Sequence, residues 1–259
     1  MTGDVLVEHT AGRLAIVLNR PAARNAISPE MLATLTEAIA TAADRGVRIV
    51  TLRGAGGAFC AGADIASYAD PGAQLDRLEA FTRSARRLCR MLEELPAVVV
   101  AAVAGPCLGG GFELALASDL IIADPGARFG LPEARLGLIP GWGGTQRLTR
   151  AIGSRRSRAL ILGATLLDAP TAHELGIVAE LVPAGGLTER LDGLVEELAG
   201  RAPLAMASAK RAILAAEPPW PDAGAETETT ELLARFASRD GAEGIAAFIE
   251  KRPPRFTGA

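Results

Sequence analysis

Two glutamates beside glycine-rich turns are the residues of this sequence best suited to chemistry. Glu113 ends the run GGGFE at residues 109–113, and Glu133 ends the run FGLPE at residues 129–133. A glycine turn that opens a helix leaves unpaired backbone N–H groups at the positive end of the helix dipole, where negative charge is stabilised. Carboxyl groups beside such a turn predict acid–base chemistry on a substrate that develops charge on an oxygen.

The surroundings of Glu113 strengthen this prediction. A lone glutamate in a first helical turn is more often a favourable partner of the helix dipole than a catalyst. Residues 95–123, however, contain no charged residue besides Glu113 and Asp119. A carboxylate in so apolar a segment should be partly desolvated, which raises its pKa toward the range useful for proton transfer.

The elements that must position these residues alternate between strands and helices. Alternating and buried apolar runs predict strands at Asp4–His9, Arg13–Leu18, Val47–Leu52, Val98–Val103, Leu120–Ala123 and Arg128–Gly130. Ser28, as a cap with Pro29 after it, predicts the start of one helix, and a longer amphipathic helix is expected from about Gln74 to Glu94. The glycine turn opens a further helix that ends near Ser118. This pattern predicts an α/β fold.

The composition changes after residue 200. Helices are predicted at Arg201–Glu217, Asp222–Ser238 and Gly241–Glu250, and the proline-rich residues 218–221 separate the first two. Such a tail buries little surface by itself, so we expect it to pack on a neighbouring subunit. The expected organisation is a catalytic domain at 1–200 and a helical oligomerisation region at 201–259.

Composition excludes several classes of protein. The chain has 259 residues, a net charge of -3 and 49% hydrophobic residues, which argue against disorder and against a polyanion-binding surface. A cluster of arginines contains no interleaved aromatic residue, so we interpret it as a solvated helix face or a subunit surface and expect no nucleic-acid partner. Its members are Arg147, Arg150, Arg155, Arg156 and Arg158.

The sequence also favours a cytoplasmic protein without a bound metal. The most apolar stretch, residues 97–103, is far too short to span a bilayer, and the first ten residues do not resemble a signal peptide. Three cysteines without C-x-x-C spacing fit free thiols in a reducing compartment. His9 and His173 are far apart in sequence and lie in ordinary contexts, so no metal site is expected.

Several motifs together resemble the enoyl-CoA hydratase (crotonase) family in order and spacing, over essentially the whole chain. They are NRP at 19–21 with NA at 25–26, FCAGAD at 59–64, the stretch 105–113, FGLPE at 129–133, IPGWGGTQRL at 139–148 and FIEKR at 248–252. The resemblance implies a spiral of ββα units followed by a helical trimerisation region. It also implies an acyl-CoA thioester as substrate and a homotrimer or a dimer of trimers as the assembly.

The family's catalytic residues map onto this chain one by one. The resemblance implies that the backbone N–H groups of Ala63 and Gly110 form an oxyanion hole for the thioester carbonyl. Glu113 and Glu133 match the two catalytic glutamates of the hydratases, and the backbone at Gly141 would help to hold the attacking water. No separate cofactor is implied, because coenzyme A is part of the substrate.

The resemblance also implies which residues bind coenzyme A. They are the backbone around Ala22, Arg24 and Ala26, the loop with Ala61, Asp64 and Ile65, and Phe248 and Lys251 near the C-terminus. Lysines often found near the phosphates in this family are replaced by Ala22 and Ala66, so Arg24 or Lys251 would contact the phosphates instead. Trp142 is interpreted either as a packed core or interface residue or as a wall that narrows the acyl pocket.

Three functions remain open from sequence. The first is a 2-enoyl-CoA hydratase, a lyase of fatty acid metabolism, which the pair of glutamates supports. The second is another acyl-CoA activity of the same family, chiefly a Δ3,Δ2-enoyl-CoA isomerase, which needs one base. The third is a nonenzymatic interaction or RNA-binding protein that kept the fold, which the acidic composition and the intact glutamate pair disfavour.

Overall fold

The structure is a computed structural model that describes residues 3–65, 75–216 and 222–258. The predicted positions at Gln74, Ala66, Glu217 and the proline-rich residues 218–221 lie outside these ranges. Within them the chain forms an α/β fold with two sheets and helices packed around them.

The larger sheet has six strands in the order β1-β2-β3-β4-β6-β9, and all neighbours except β1 and β2 run parallel. Its strands are β1 (Val5–Thr10), β2 (Arg13–Leu18), β3 (Ile49–Gly54), β4 (Val98–Val103), β6 (Leu120–Ala123) and β9 (Glu180–Leu181). Strands β3 and β4 are buried on both faces over most of their length, and β4 is accordingly a continuous apolar run in the sequence. The sheet is therefore the rigid centre of the molecule.

A smaller sheet carries the two segments that hold the glutamates. Its strands are β5 (Pro106–Leu108), β7 (Arg128–Gly130) and β8 (Leu167–Asp168), in the order β5-β7-β8. Strands β5 and β7 are parallel neighbours, with Leu108 opposite Gly130. Their C-terminal ends therefore lie side by side, and the chain segments that lead to Glu113 and Glu133 start from the same edge.

Helices cover both sheets. They are α1 (Pro29–Ala40), α2 (Leu75–Glu94), α3 (Gly110–Leu116), α4 (Gly144–Ile152), α5 (Ser154–Leu162), α6 (Ala169–Glu174), α7 (Leu187–Ala199), α8 (Pro203–Ala216), α9 (Asp222–Phe236) and α10 (Arg239–Glu250). The predicted cap of α1 is confirmed, because the Ser28 hydroxyl accepts a hydrogen bond from the Met31 N–H at 3.3 Å. None of the described helices is long and apolar enough to cross a membrane.

The helices after residue 222 pack on their own chain. Helix α9 packs on α2 and α4, and Arg86 of α2 donates hydrogen bonds to the Ala225 carbonyl and the Thr229 hydroxyl. Helix α10 packs on the short 3-10 helix Glu133–Leu136. The packing of the tail on a neighbouring subunit, a domain boundary at residue 200 and a role of the tail in assembly stay predictions.

Candidate active site

Glu113 lies in the first turn of α3 and is almost fully buried, with 1% of its surface exposed. Its Oε1 atom accepts two backbone hydrogen bonds, from the Trp142 N–H at 2.7 Å and from the Gly144 N–H at 2.6 Å. Both donors belong to the turn that opens α4, so the carboxylate faces the N-terminus of a second helix. Charge-assisted bonds of this kind favour the ionised form of the carboxyl group.

The glycines before Glu113 are needed for close packing. Gly109 is the N-cap residue of α3 and has a φ of 52°, a backbone conformation that residues with a side chain rarely adopt. A methyl group added at Gly110 would lie 2.4 Å from Cζ3 of Trp142, so the indole ring lies directly against this turn. The GGG run therefore brings the α3 N-terminus, the indole and Glu113 together.

Glu133 opens the 3-10 helix and reaches the same turn from the other side. A methyl group added at Gly109 would lie 2.9 Å from its Oε1 atom, which places this carboxyl group beside the start of α3. Its Oε2 atom is buried and has no hydrogen-bond partner among the described residues. A buried carboxyl oxygen without a donor is best accommodated by a proton on that carboxyl group.

The pKa values of both carboxyl groups are raised. Burial raises the pKa of Glu113 well above its usual range, and the negative charges of Glu228 and Glu133 raise it further, against the two N–H donors. Burial is also the main cause that raises the pKa of Glu133 to about 8. Two backbone N–H groups stabilise a negative charge on Glu113, whereas the Oε2 atom of Glu133 has no donor among the described residues, so the hydrogen bonds favour the charge on Glu113 and the proton on Glu133.

Both carboxyl groups line a cavity of about 100 Å³ that opens to solvent. Besides the two glutamates, its lining is formed by Ala61, Gly62, Ala63, Ile65, Leu78, Phe81, Thr82, Gly109, Gly110, Pro132, Leu136, Leu138, Ile139, Gly141, Trp142, Leu232 and Phe236. The lining is thus mainly apolar, and its last two members come from α9. The structure therefore brings together Glu113, Glu133, Ala63, Gly110, Gly141, Trp142, Ala61 and Ile65 from the predicted site.

The predicted donors of the oxyanion hole both lie beside Gly62, Ala63 as its neighbour in the chain and Gly110 in space. Ala63 pairs with Ile27, and the Cβ position of Gly62 is 3.5 Å from the Gly110 nitrogen. Within the described part of the chain, neither the Ala63 N–H nor the Gly110 N–H donates a hydrogen bond. Both groups are thus available to an acceptor in the cavity.

The predicted coenzyme A segments are joined by backbone pairing. The Ala61 N–H donates to the Arg24 carbonyl at 3.0 Å, and the Asp64 N–H donates to the Ile27 carbonyl at 3.0 Å. Ala26 is half-buried between these pairs, whereas Ala22 and Arg24 are exposed. The Asp64 carboxylate forms an ion pair with Arg20 at 2.6 Å, which ties the two segments together.

Two predicted residues lie apart from the cavity lining. Phe248 and Lys251 are exposed at the C-terminal end of α10, and 58% of the surface of Phe248 is accessible. Neither residue is among those that line the cavity. Their role in binding coenzyme A stays a prediction.

The arginine cluster is only in part a solvated face. Arg155, Arg156 and Arg158 are exposed as expected, but Arg147 is 4% exposed. Its guanidinium forms an ion pair with Glu93 and donates a hydrogen bond to the Trp142 carbonyl at 2.6 Å. The interpretation of Arg147 as a surface residue was wrong, because a cluster in sequence cannot show which member turns inward on α4.

Sequence reasoning also missed a third buried carboxyl group. Glu228 of α9 is 3% exposed and bonds to the turn that opens α4. Its neighbours Glu226, Thr227 and Thr229 give α9 the polar character of a solvated helix, so no local signal marks it. In the described ranges, His, Cys, Asp and Glu form no group of three that could hold a metal ion.

The cysteines of the site are buried thiols. Cys60, which precedes the Ala61–Ile65 loop, has no exposed surface, and burial raises its pKa to about 12. A thiol with so high a pKa is a poor nucleophile at neutral pH. The structure therefore supports the interpretation of Cys60 as a small buried residue.

Comparison with known proteins places the chain among acyl-CoA enzymes. A family model described as enoyl-CoA hydratase/isomerase matches residues 8–259. A protein of Mycobacterium bovis named probable enoyl-CoA hydratase is 38% identical over 254 residues, covering 98% of this chain and 97% of the relative. The 2,3-dehydroadipyl-CoA hydratase of Escherichia coli is 34% identical over 256 residues, covering 98% of this chain and 99% of the relative.

The fold agrees with a solved structure from the same group. A crystal structure of an enoyl-CoA hydratase from Mycobacterium avium subsp. paratuberculosis superposes with a TM-score of 0.89 at 29% identity. The superposition covers 99% of this chain and 100% of the chain in the crystal structure.

Proposed function

Because the chain belongs to the enoyl-CoA hydratase/isomerase family, we propose that it is an enoyl-CoA hydratase. The reaction adds water across the 2,3-double bond of a 2-enoyl-CoA thioester and gives a 3-hydroxyacyl-CoA. The observation that carries the proposal is the pair of buried carboxyl groups on one cavity, with the donors on Glu113 and an unpartnered oxygen on Glu133. A hydratase needs one group of each kind.

The two carboxyl groups divide the proton transfers. Ionised Glu113 accepts a proton from the attacking water, whose oxygen bonds to C3 of the substrate. The electrons of the double bond move toward the thioester, and an enolate forms on its oxygen. Protonated Glu133 then donates its proton to C2, and the enolate collapses to the product. Proton exchange with solvent returns both groups to their starting states.

The N–H groups of Ala63 and Gly110 would stabilise the enolate oxygen. Both residues line the cavity, and neither N–H is used by the described residues. Backbone donors that are fixed before the reaction cost no reorganisation, and the loss of one typically costs about 3 kcal/mol. The paired segments at 22–26 and 61–65 would hold coenzyme A, with Arg24 or Lys251 on its phosphates.

The cavity further suits an acyl chain without a charge. Beyond the glutamates its wall is formed by side chains such as Leu78, Phe81, Leu138, Leu232 and Phe236, and no Lys, Arg or His is among the described lining residues. Residues 66–74 and 217–221 contain no Lys, Arg or His in the sequence either. An acyl carboxylate, such as that of 2,3-dehydroadipyl-CoA, would thus enter a mainly apolar space that already contains the two buried carboxyl groups of Glu113 and Glu133. We therefore propose uncharged 2-enoyl-CoA thioesters as substrates.

A direct assay tests the proposed reaction. Purified protein is mixed with crotonyl-CoA, and the loss of absorbance of the conjugated enoyl thioester is followed over time. We expect saturable loss of the signal and formation of 3-hydroxybutyryl-CoA, identified by mass. A parallel assay with a 3-enoyl-CoA measures isomerase activity, and isomerisation without hydration would replace the proposal by the second candidate.

Assembly as a homotrimer or a dimer of trimers is part of the same proposal. Helix α8 exposes two large apolar side chains, Leu204 at 82% and Ile213 at 63%. Apolar residues this exposed are available to a subunit interface.

The raised pKa of Glu133 predicts how activity depends on pH. As the acid of the reaction, Glu133 works only in its protonated form, which predominates below its pKa of about 8. We expect kcat for crotonyl-CoA to fall above pH 8, approaching tenfold for each further pH unit. Initial rates from pH 6 to pH 10 at saturating substrate measure this limb. A kcat that stays constant through pH 9.5 in the folded protein would contradict the assignment.

Trp142 is predicted to limit the length of the acyl chain. It is 5% exposed, packs edge-on against Phe81 with ring centroids 5.6 Å apart, and lines the cavity. It is thus both a core residue and a wall. Each methylene accepted by an apolar pocket is worth roughly 1–3 kcal/mol, so Trp142→Ala should raise kcat/KM for octenoyl-CoA relative to crotonyl-CoA by at least about tenfold.

The control for this variant is Trp142→Phe, which keeps an aromatic wall and should give an intermediate chain-length profile. Thermal unfolding of both variants is measured, because truncation of a buried tryptophan costs about 3–5 kcal/mol of stability. A folded Trp142→Ala protein with the wild-type profile would show that the indole does not set chain length.

A further inference from the structure

The third buried carboxyl group, Glu228, has no part in the proton transfers described above. It lies on α9, 115 residues after Glu113 in the chain, and is 3% exposed. Glu226, two residues earlier on the same helix, is exposed. Burial of a carboxyl group costs free energy unless the group is hydrogen-bonded. The hydrogen bonds of Glu228 therefore indicate its structural role.

Every hydrogen bond of Glu228 ends on the turn that opens α4. Its Oε1 atom accepts from the Gly143 N–H at 2.6 Å, and its Oε2 atom accepts from the Thr145 N–H at 3.1 Å and from the Thr145 hydroxyl. Gly143 is the N-cap residue of α4 and has no side chain with which to cap it. Glu228 therefore supplies the cap of α4 from another helix.

The same turn also binds Glu113, and its successive N–H groups donate alternately to the two carboxyl groups. Residues 142 and 144 donate their N–H groups to Glu113, whereas residues 143 and 145 donate theirs to Glu228. Arg147 holds the turn from a third side, through the Trp142 carbonyl. A shift of residues 142–145 would thus move both donors of Glu113 and the indole of Trp142 together.

We propose that Glu228 is a positioning residue, which fixes the turn at residues 142–145 and through it the carboxylate of Glu113. The proposal rests on the proposed function only in taking Glu113 as the base. Glu228 is not among the described residues that line the cavity, so it would act through the turn and through its charge.

The charge of Glu228 gives this role a signature in the pH profile. The charged or titratable groups around Glu113 are Glu133, Glu228 on α9, Arg147 on α4, and Cys89 and Glu93 on α2. Among them Glu228 is the carboxyl group that most raises the pKa of Glu113. Glu113 must be ionised to accept a proton. Removal of the Glu228 charge should lower the pKa of Glu113, so the activity should appear at lower pH.

Three variants separate geometry from charge. Glu228→Gln keeps the size and removes the charge, Glu228→Asp keeps the charge and shortens the side chain, and Glu226→Gln is the exposed control on the same helix. We expect Glu228→Gln to lower kcat for crotonyl-CoA about 10- to 100-fold, the range for a misplacement of about 1 Å, with KM within about twofold of wild type. Its acid limb should move to lower pH, whereas Glu228→Asp should lose kcat without that movement.

The outcomes are decisive in either direction. If Glu228→Gln matches Glu226→Gln in kcat and pH profile, Glu228 is not a positioning residue. A loss of activity that only follows loss of folded protein, with an unmoved pH profile, would also overturn the proposal. If Glu228→Gln does not fold, Thr145→Val removes the hydroxyl donor to Glu228 but keeps the charge, so it should lower kcat by a smaller factor without moving the acid limb, and an unchanged kcat would overturn the proposal. Failure of wild-type protein to hydrate crotonyl-CoA would instead refute the proposed function.

Discussion

Glu113→Gln should lower kcat for hydration of crotonyl-CoA by about 10²- to 10⁴-fold, the contribution that general acid–base catalysis usually makes. The variant keeps an oxygen for the Trp142 and Gly144 N–H groups, so the fold and the site should survive. It cannot accept a proton from water. KM should change little, because Glu113 acts on the water and not on the bound thioester.

Glu133→Gln should cause a loss of similar size for a different reason. The amide cannot donate a proton to C2, and the variant should lose the fall of activity above pH 8 that the wild type shows. Stopped-flow rates at saturating substrate measure both variants, and Glu231→Gln, an exposed glutamate on α9, is the matched control. Hydration by Glu113→Gln at a near wild-type rate would remove Glu113 as the base. Isomerase activity retained in that variant would favour the isomerase candidate.

Discrimination against charged acyl chains is the second large effect that we expect. Hex-2-enoyl-CoA and 2,3-dehydroadipyl-CoA have the same carbon count and differ in a terminal methyl or carboxylate. We expect kcat/KM to be at least about 100-fold higher for the uncharged substrate. A carboxylate buried without a cation costs several kcal/mol, and each tenfold change in rate corresponds to about 1.4 kcal/mol.

The control substrate is the terminal amide of the same diacid thioester, which is polar but uncharged. If charge is the cause, the amide should be hydrated faster than the acid. Equal kcat/KM for the acid and hexenoyl-CoA would show that a cation reaches the acyl chain and would refute the proposed substrate class. It would leave the hydratase reaction itself supported.

The two glutamates of the candidate site could be singled out from sequence because their signals are local. Glu113 comes just after three glycines in an apolar segment, and Glu133 follows a short strand, so neighbouring residues mark both positions. Strands at Arg13–Leu18, Val98–Val103, Leu120–Ala123 and Arg128–Gly130 were predicted with the bounds that the structure has. Continuous apolar runs between turn residues identify such strands without knowledge of their partners.

The residues that hold the turn beside Glu113 could not be predicted, because their contacts are with residues distant in sequence. Glu228 and Arg147 lie among polar and charged neighbours, which is typical of a solvated helix. Glu228 is buried against the turn that opens α4, and Arg147 pairs with Glu93 of α2, so both environments depend on tertiary contacts between helices. The helices α4 to α7 were also not predicted, since they are short or begin at glycines without a capping side chain. Periodicity reports the face of a helix but not its tertiary neighbour.

The position of α9 has a consequence for the order in which the protein matures on the ribosome. Both sheets and both glutamates of the candidate site are synthesised before residue 182, but the cap of α4 and part of the cavity wall come from α9. A chain that has been synthesised only as far as α8 therefore contains every strand of the fold but lacks the side chain that caps α4. The turn at residues 142–145 is completed last, by a helix that does not yet exist when its own residues leave the ribosome.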